Sequence, residues 1–150
     1  MGLGKTNQAM AAMTHLQATE NASCVVVVAP ASILGNWIRE LEERTDLRVC
    51  LLHGQGRDAA LQDWSNTGGV AVTSYATLRL LRGVNRHPIY LLVADEAHYI
   101  TTPDARRTKN VWRLAQVSDR ITLMTGTPLE NRTKEFVNLI RFCDTKLPAH

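Results

Sequence analysis

Three short clusters hold the residues whose types and spacing suit phosphate chemistry. Gly2-Leu3-Gly4-Lys5-Thr6 carries the second half of the pattern G-x-x-x-x-G-K-[ST]. Glycines there let the backbone wrap a phosphate closely, and the N–H groups that open the following helix point at it. Lys5 is the candidate to set its ammonium between β- and γ-phosphates, and Thr6 to offer its hydroxyl to Mg²⁺. Asp95-Glu96-Ala97-His98 follows the apolar run Tyr90-Leu91-Leu92-Val93-Ala94. A carboxylate at a strand tip suits hydrated Mg²⁺, and a second beside it can orient and deprotonate an attacking water. Thr125-Gly126-Thr127-Pro128 also follows an apolar run, where small hydroxyl residues suit sensing of the γ-phosphate region. Singly, the three have plain structural readings as a helix start, a polar strand end and a turn. In this order they support one another.

The elements that must position these clusters read as strands alternating with helices. Thr6 to Ala18 has helical spacing in Met10, Met13 and Gln17. Val25–Ala29 is apolar on both faces and stops at Pro30, as a covered parallel strand should be. Ser32 reads as the N-cap of a helix carrying Leu34, Ile38 and Leu41. Strands are expected at Leu47–His53, Val70–Thr73, Ile89–Ala94 and Ile121–Met124. Helices are expected at Asp58–Trp64, Tyr75–Leu81 and Asp104–Ala115. A last helix sets Phe136, Leu139, Ile140 and Cys143 on one face. Such alternation predicts an α/β fold: a mostly parallel sheet in three layers with helices on both sides and right-handed crossovers. Ligands of such sheets bind beyond the carboxyl ends of the strands, where all three clusters fall.

The chain has 150 residues, 45% hydrophobic and 21% charged, which is one globular domain with room for a core. Its three cysteines, Cys24, Cys50 and Cys143, are far apart and form no C-x-x-C pair, which argues against a disulfide scaffold or a zinc site. No apolar run approaches the roughly 20 residues of a membrane span. The net charge is +3, and residues 79–113 concentrate it, with seven basic side chains against three acidic. That stretch faces phosphates or is a solvated arginine face; charge alone leaves both readings open.

The series GLGKT, APASILGNW, VTSYATL, DEAH and LMTGTPLENR resembles the first lobe of Swi/Snf-like proteins, ATP-dependent DNA translocases of the second helicase superfamily. The resemblance covers essentially the whole chain and implies a RecA-like P-loop lobe. It implies ATP and Mg²⁺ as cofactors, with Lys5, Asp95 and Glu96 as catalytic residues and Glu96 as the base. Gly2, Gly4, Lys5 and Thr6 would hold the nucleotide, and Thr6 and Asp95 the metal. The segments around Pro30, Ser32 and Trp37 and around Ser74 and Tyr75 look like those that track one strand of duplex DNA along its phosphates. His98, Thr125, Gly126 and Thr127 would couple ATP to DNA. Trp37, four residues before Leu41, reads more naturally as core than as ligand. His98 reads equally as a hydrogen-bonded structural histidine.

Members of that family often carry Lys-Asn shortly after DEAH, where this chain has Thr101-Thr102. The resemblance further implies that Met1 is an internal residue and that a first strand precedes it, beside the Ile121–Met124 strand. A second motor lobe with arginine fingers would follow. The compact spacing leans toward a bacterial or phage-type cytoplasmic member, with the nucleus as the place in a eukaryote. Two other readings stand beside the motor: a non-catalytic lobe that binds nucleic acid or protein, and the motor part of a restriction-type enzyme.

Overall fold

A computed structural model describes residues 3–20, 24–100 and 105–126. In chain order these form helix α1 (Leu3–Glu20), strand β1 (Cys24–Ala29), helix α2 (Leu34–Arg44), strand β2 (Val49–Leu51) and helix α3 (Arg57–Thr67). Strand β3 (Gly69–Ser74), helix α4 (Tyr75–Leu78), strand β4 (Ile89–Ala94), helix α5 (Arg106–Gln116) and strand β5 (Ser118–Leu123) follow. The expected helix around Phe136–Cys143 lies outside the described residues.

The five strands make one parallel sheet in the order β2-β3-β1-β4-β5. Central β1 explains the unbroken valine run. Val25 and Val27 face a layer formed by Met10, Met13, Trp37 and Leu41 of α1 and α2. Val26 and Val28 face the opposite layer, with Leu61 and Trp64 of α3 and Val111 and Leu114 of α5. Each valine buried in this way contributes roughly 1.5–3 kcal/mol, so the strand needs no polar face.

Strand β2 and helix α4 are shorter than the expected Leu47–His53 and Tyr75–Leu81, and two further expectations change. Ser32 is not a helix N-cap: it sits, exposed, inside the 3-10 turn Ala31–Ile33, and α2 begins without a side-chain cap. The preceding Pro30 and the Ile33 N–H···Pro30 carbonyl bond of 3.1 Å make this turn, which displaces the cap. Strand β5 starts three residues before the expected Ile121, with Ser118 in register with Ile89. Its first half carries exposed Asp119 and Arg120, so no apolar pattern marks it in the sequence.

Candidate nucleotide and nucleic-acid site

The site is built where strands end. Three backbone bonds knit the tips of β1, β4 and β5: Asp95 N–H to the Val28 carbonyl (2.8 Å), Met124 N–H to that of Ala94 (2.9 Å), and Ala97 N–H to that of Met124 (2.8 Å). Asp95 is thereby fixed at the tip of β4, only 8% exposed. Its carboxylate accepts the Trp37 indole N–H at Oδ2 (2.9 Å) and the Glu96 N–H at Oδ1 (2.8 Å). Its backbone carbonyl accepts the Tyr75 hydroxyl (2.6 Å). Glu96 takes φ 53°, left-handed backbone that a glutamate rarely adopts, and strain of this kind gathers at functional sites. Its carboxylate lies 3.4 Å from His98 Nδ1.

Lys5 stands in the first turn of α1, and its ammonium donates to the carbonyl of Thr125 beyond β5. Gly126 packs beside it: a Cβ there would lie 3.6 Å from Lys5 Nζ. Sequence-distant Lys5, Thr125 and Gly126 are therefore brought together, and Asp95 and Glu96 lie at the neighbouring strand tip, joined through the Ala97–Met124 bond. Gly2 and Thr127 lie outside the described residues, as do Thr101 and Thr102.

These groups fit a magnesium nucleotide. A Cβ on Gly4 would meet only open space, and the first turn of the 18-residue α1 carries no acidic side chain. The positive end of the helix and the Lys5 ammonium, bonded to a neutral carbonyl, suit an anion. The Asp95 carboxylate offers about four lone-pair sites, of which the two bonds above use two. The rest suit a hard cation or its water. Half-buried Thr6 lies next to Lys5 on the same helix turn.

A groove of about 550 Å³ opens beside this site, lined by Ser32, Ser74, Tyr75, Arg79, Arg106 and Arg107 among others. The structure thus unites Ser32, Ser74 and Tyr75 on one groove, and it gives the hydroxyls of the last two partners inside the fold. Ser74 is buried, accepts the Thr77 N–H (3.0 Å) as the N-cap of α4 and donates to Thr77 Oγ1 (2.8 Å). The Tyr75 hydroxyl is spent on the Asp95 carbonyl, so neither hydroxyl points out to a phosphate. Burial, then the charges of Asp95 and Glu96, push the Tyr75 phenol above its ordinary pKa. Its ring stacks on Tyr99, 5.6 Å between centroids and nearly coplanar, and the Arg107 guanidinium lies over Tyr99 at 5.6 Å.

Trp37 is core, as expected, at 2% exposure. What sequence reasoning missed is its bond to Asp95 and the part played by Tyr99. Arg106 and Arg107 were visible only as members of a basic stretch. That stretch is divided: Arg79, Arg106 and Arg107 line this groove. Arg79, Arg82 and Arg86 line a second one against α3.

A five-stranded parallel sheet with a phosphate-type helix start and an acidic strand tip defines a RecA-like nucleotide-binding lobe. The sequence matches the SNF2-related domain over residues 1–148, and the chain belongs to that family. It is 36% identical over 162 residues to the DNA excision repair protein ERCC-6-like 2 of Mus musculus, covering 90% of this chain and 10% of the relative. It is 30% identical over 152 residues to the ATP-dependent DNA helicase DDM1 of Arabidopsis thaliana, covering 95% of this chain and 20% of the relative. Among solved structures it is similar to the Sulfolobus solfataricus SWI2/SNF2 ATPase core in complex with dsDNA. There the TM-score is 0.84 at 28% identity, covering 96% of this chain and 30% of that one. The chain therefore spans between a tenth and a third of these proteins.

Proposed function

We propose that this chain is the ATP-binding lobe of an ATP-dependent DNA translocase of the Swi/Snf type. One observation carries the reading: the Lys5 helix start and the Asp95-Glu96 strand tip share one end of the sheet with an arginine-lined groove. Lys5 and the N–H groups at the start of α1 bind the β- and γ-phosphates of ATP. Thr6 and Asp95 are the residues to hold Mg²⁺, which when bound neutralises charge on the phosphates. Glu96 orients the attacking water and takes its proton, while His98 beside it holds the Glu96 carboxylate in place. Arg106, Arg107, Arg79 and exposed Ser32 contact the phosphates of duplex DNA, a sequence-independent grip that suits a motor. Thr125 and Gly126, and Thr127 next to them, link the Lys5 end to the rest of the lobe. A second lobe of the whole protein supplies the arginines that complete the phosphoryl-transfer clamp. The relatives' names place them in DNA repair and DNA unwinding, and the two named here are eukaryotic, which supports the nucleus over a bacterial or phage-type cytoplasm.

The test is ATP turnover and nucleotide affinity of the full-length protein, with and without duplex DNA. Glu96→Gln keeps the size of the base and removes its basicity, so it should bind ATP and fail to turn it over. Lys5→Ala should lose binding and turnover together. An undiminished rate in Glu96→Gln overturns these roles.

A further inference from the structure

Two buried tryptophans donate their indole N–H groups, and the contrast between them is informative. Trp64 gives its proton to the neutral carbonyl of Gly69 (2.9 Å), the ordinary fate of a core indole. Trp37 gives its proton to a carboxylate, that of Asp95, 58 residues away and at the same distance. A hydrogen bond to an ionised acceptor is roughly twice as strong as one between neutral groups and is directional, so it fixes which way the carboxylate faces. Trp37 sits one turn into α2, directly after the Pro30–Ile33 turn that contributes Pro30 and Ser32 to the groove. The second hold on Asp95, the Tyr75 hydroxyl on its carbonyl, comes from a residue whose ring also lines the groove. Beside the backbone bond to Val28, the two side-chain holds on Asp95 thus come from Tyr75 in the groove wall and from Trp37 on the helix that follows the Pro30–Ile33 wall. Through Tyr99 the Tyr75 ring is further stacked beneath Arg107, a cation on the groove surface.

We propose that Trp37 and Tyr75 are positioning residues that aim the Asp95 carboxylate and tie it to the groove, so that duplex DNA seated there alters how firmly Mg²⁺ is held with the nucleotide. The inference rests on the ATPase reading above and names its means of regulation. Each bonds Asp95 and acts through it. Hydrogen-bond partners that orient a metal-binding group change metal affinity by about 10–100-fold when removed.

The experiment uses the full-length protein with Trp37→Phe, Tyr75→Phe and Glu96→Gln. Trp37→Phe keeps an aromatic ring and deletes the N–H; Tyr75→Phe keeps the stack on Tyr99 and deletes the hydroxyl. Fluorescent ATP affinity is titrated against Mg²⁺ with and without duplex DNA, alongside the indole N–H resonances of ¹⁵N-labelled protein. The Mg²⁺ concentration at half-saturation should rise about tenfold in Trp37→Phe, and DNA should no longer shift it. Tyr75→Phe should move it the same way by less. The indole resonance that vanishes in Trp37→Phe should shift when DNA is added to the wild type. Should Trp37→Phe fail to fold, Tyr75→Phe and the wild-type resonance decide. Folded variants with Mg²⁺ and DNA responses within twofold of wild type, or an indole signal indifferent to DNA, overturn the inference. A dead Glu96→Gln in the same series would leave the ATPase reading standing. An active Glu96→Gln would overturn that reading and this inference with it.

Discussion

The ammonium of Lys5 and the carbonyl of Thr125 are hydrogen-bonded across 120 positions of sequence. The bond joins the first turn of α1 to the chain leaving β5, so the start of α1 is held against the tip of β5. A carbonyl satisfies the ammonium without neutralising it, and a phosphate can replace the carbonyl as partner. The Thr125 segment would then be released when nucleotide binds.

Replacing Lys5 should be felt first in affinity. A charged hydrogen bond contributes about 1.5–3 kcal/mol, so Lys5→Ala should weaken ATP binding roughly 10–100-fold. Because the lost partner in the empty lobe is only a half-exposed carbonyl, the melting temperature should change little. Nucleotide titration and a thermal melt of the same samples check both halves.

The arginines of the groove should count by charge. Each phosphate contact contributes about −0.9 to the slope of log K against log salt concentration. Arg106→Gln with Arg107→Gln should therefore flatten the slope by roughly 2 and weaken all DNA sequences alike. A loss confined to one sequence would contradict phosphate tracking.

Alkaline pH should destabilise the lobe through Tyr75. Its phenol is held above the ordinary value, chiefly by burial, so the native state keeps the proton to higher pH than the unfolded chain does. The stabilisation is complete below the unfolded tyrosine value of about 10 and is lost as pH climbs above it toward the native value. Denaturant unfolding at rising pH should show this decline, and Tyr75→Phe should make it shallower.

Gly69 should tolerate no side chain. Its φ is +108° and a Cβ would lie 2.6 Å from the Arg48 carbonyl, a backbone atom that already accepts the Val70 N–H. Strained backbone of this kind costs about 1–3 kcal/mol before the clash is counted. Gly69→Ala should lower the melting temperature by about 2–4 °C for each kcal/mol lost.

What the order of residues determined is whatever depends on near neighbours. Val25–Ala29 announced a central strand because both its faces are covered, and that leaves an unbroken apolar run. Leu34, Trp37 and Leu41 announced the buried stripe of α2 because helical spacing repeats locally. Lys5 and Asp95-Glu96 were legible as candidate chemistry because a helix start and a strand tip have short-range signatures. The start of β5 was not, since exposed Asp119 and Arg120 break the apolar run there. Nor was the place of the Ser74 hydroxyl, which caps α4. The bond from Trp37 to Asp95 was beyond reach for a different reason. Spacing shows that an indole is buried, but which acceptor its N–H meets depends on how α2 lies over β1 and β4. Only the folded sheet, with β3 and β4 on either side of β1, brings Trp37 to the carboxylate and Tyr75 to the backbone carbonyl of the same residue, Asp95.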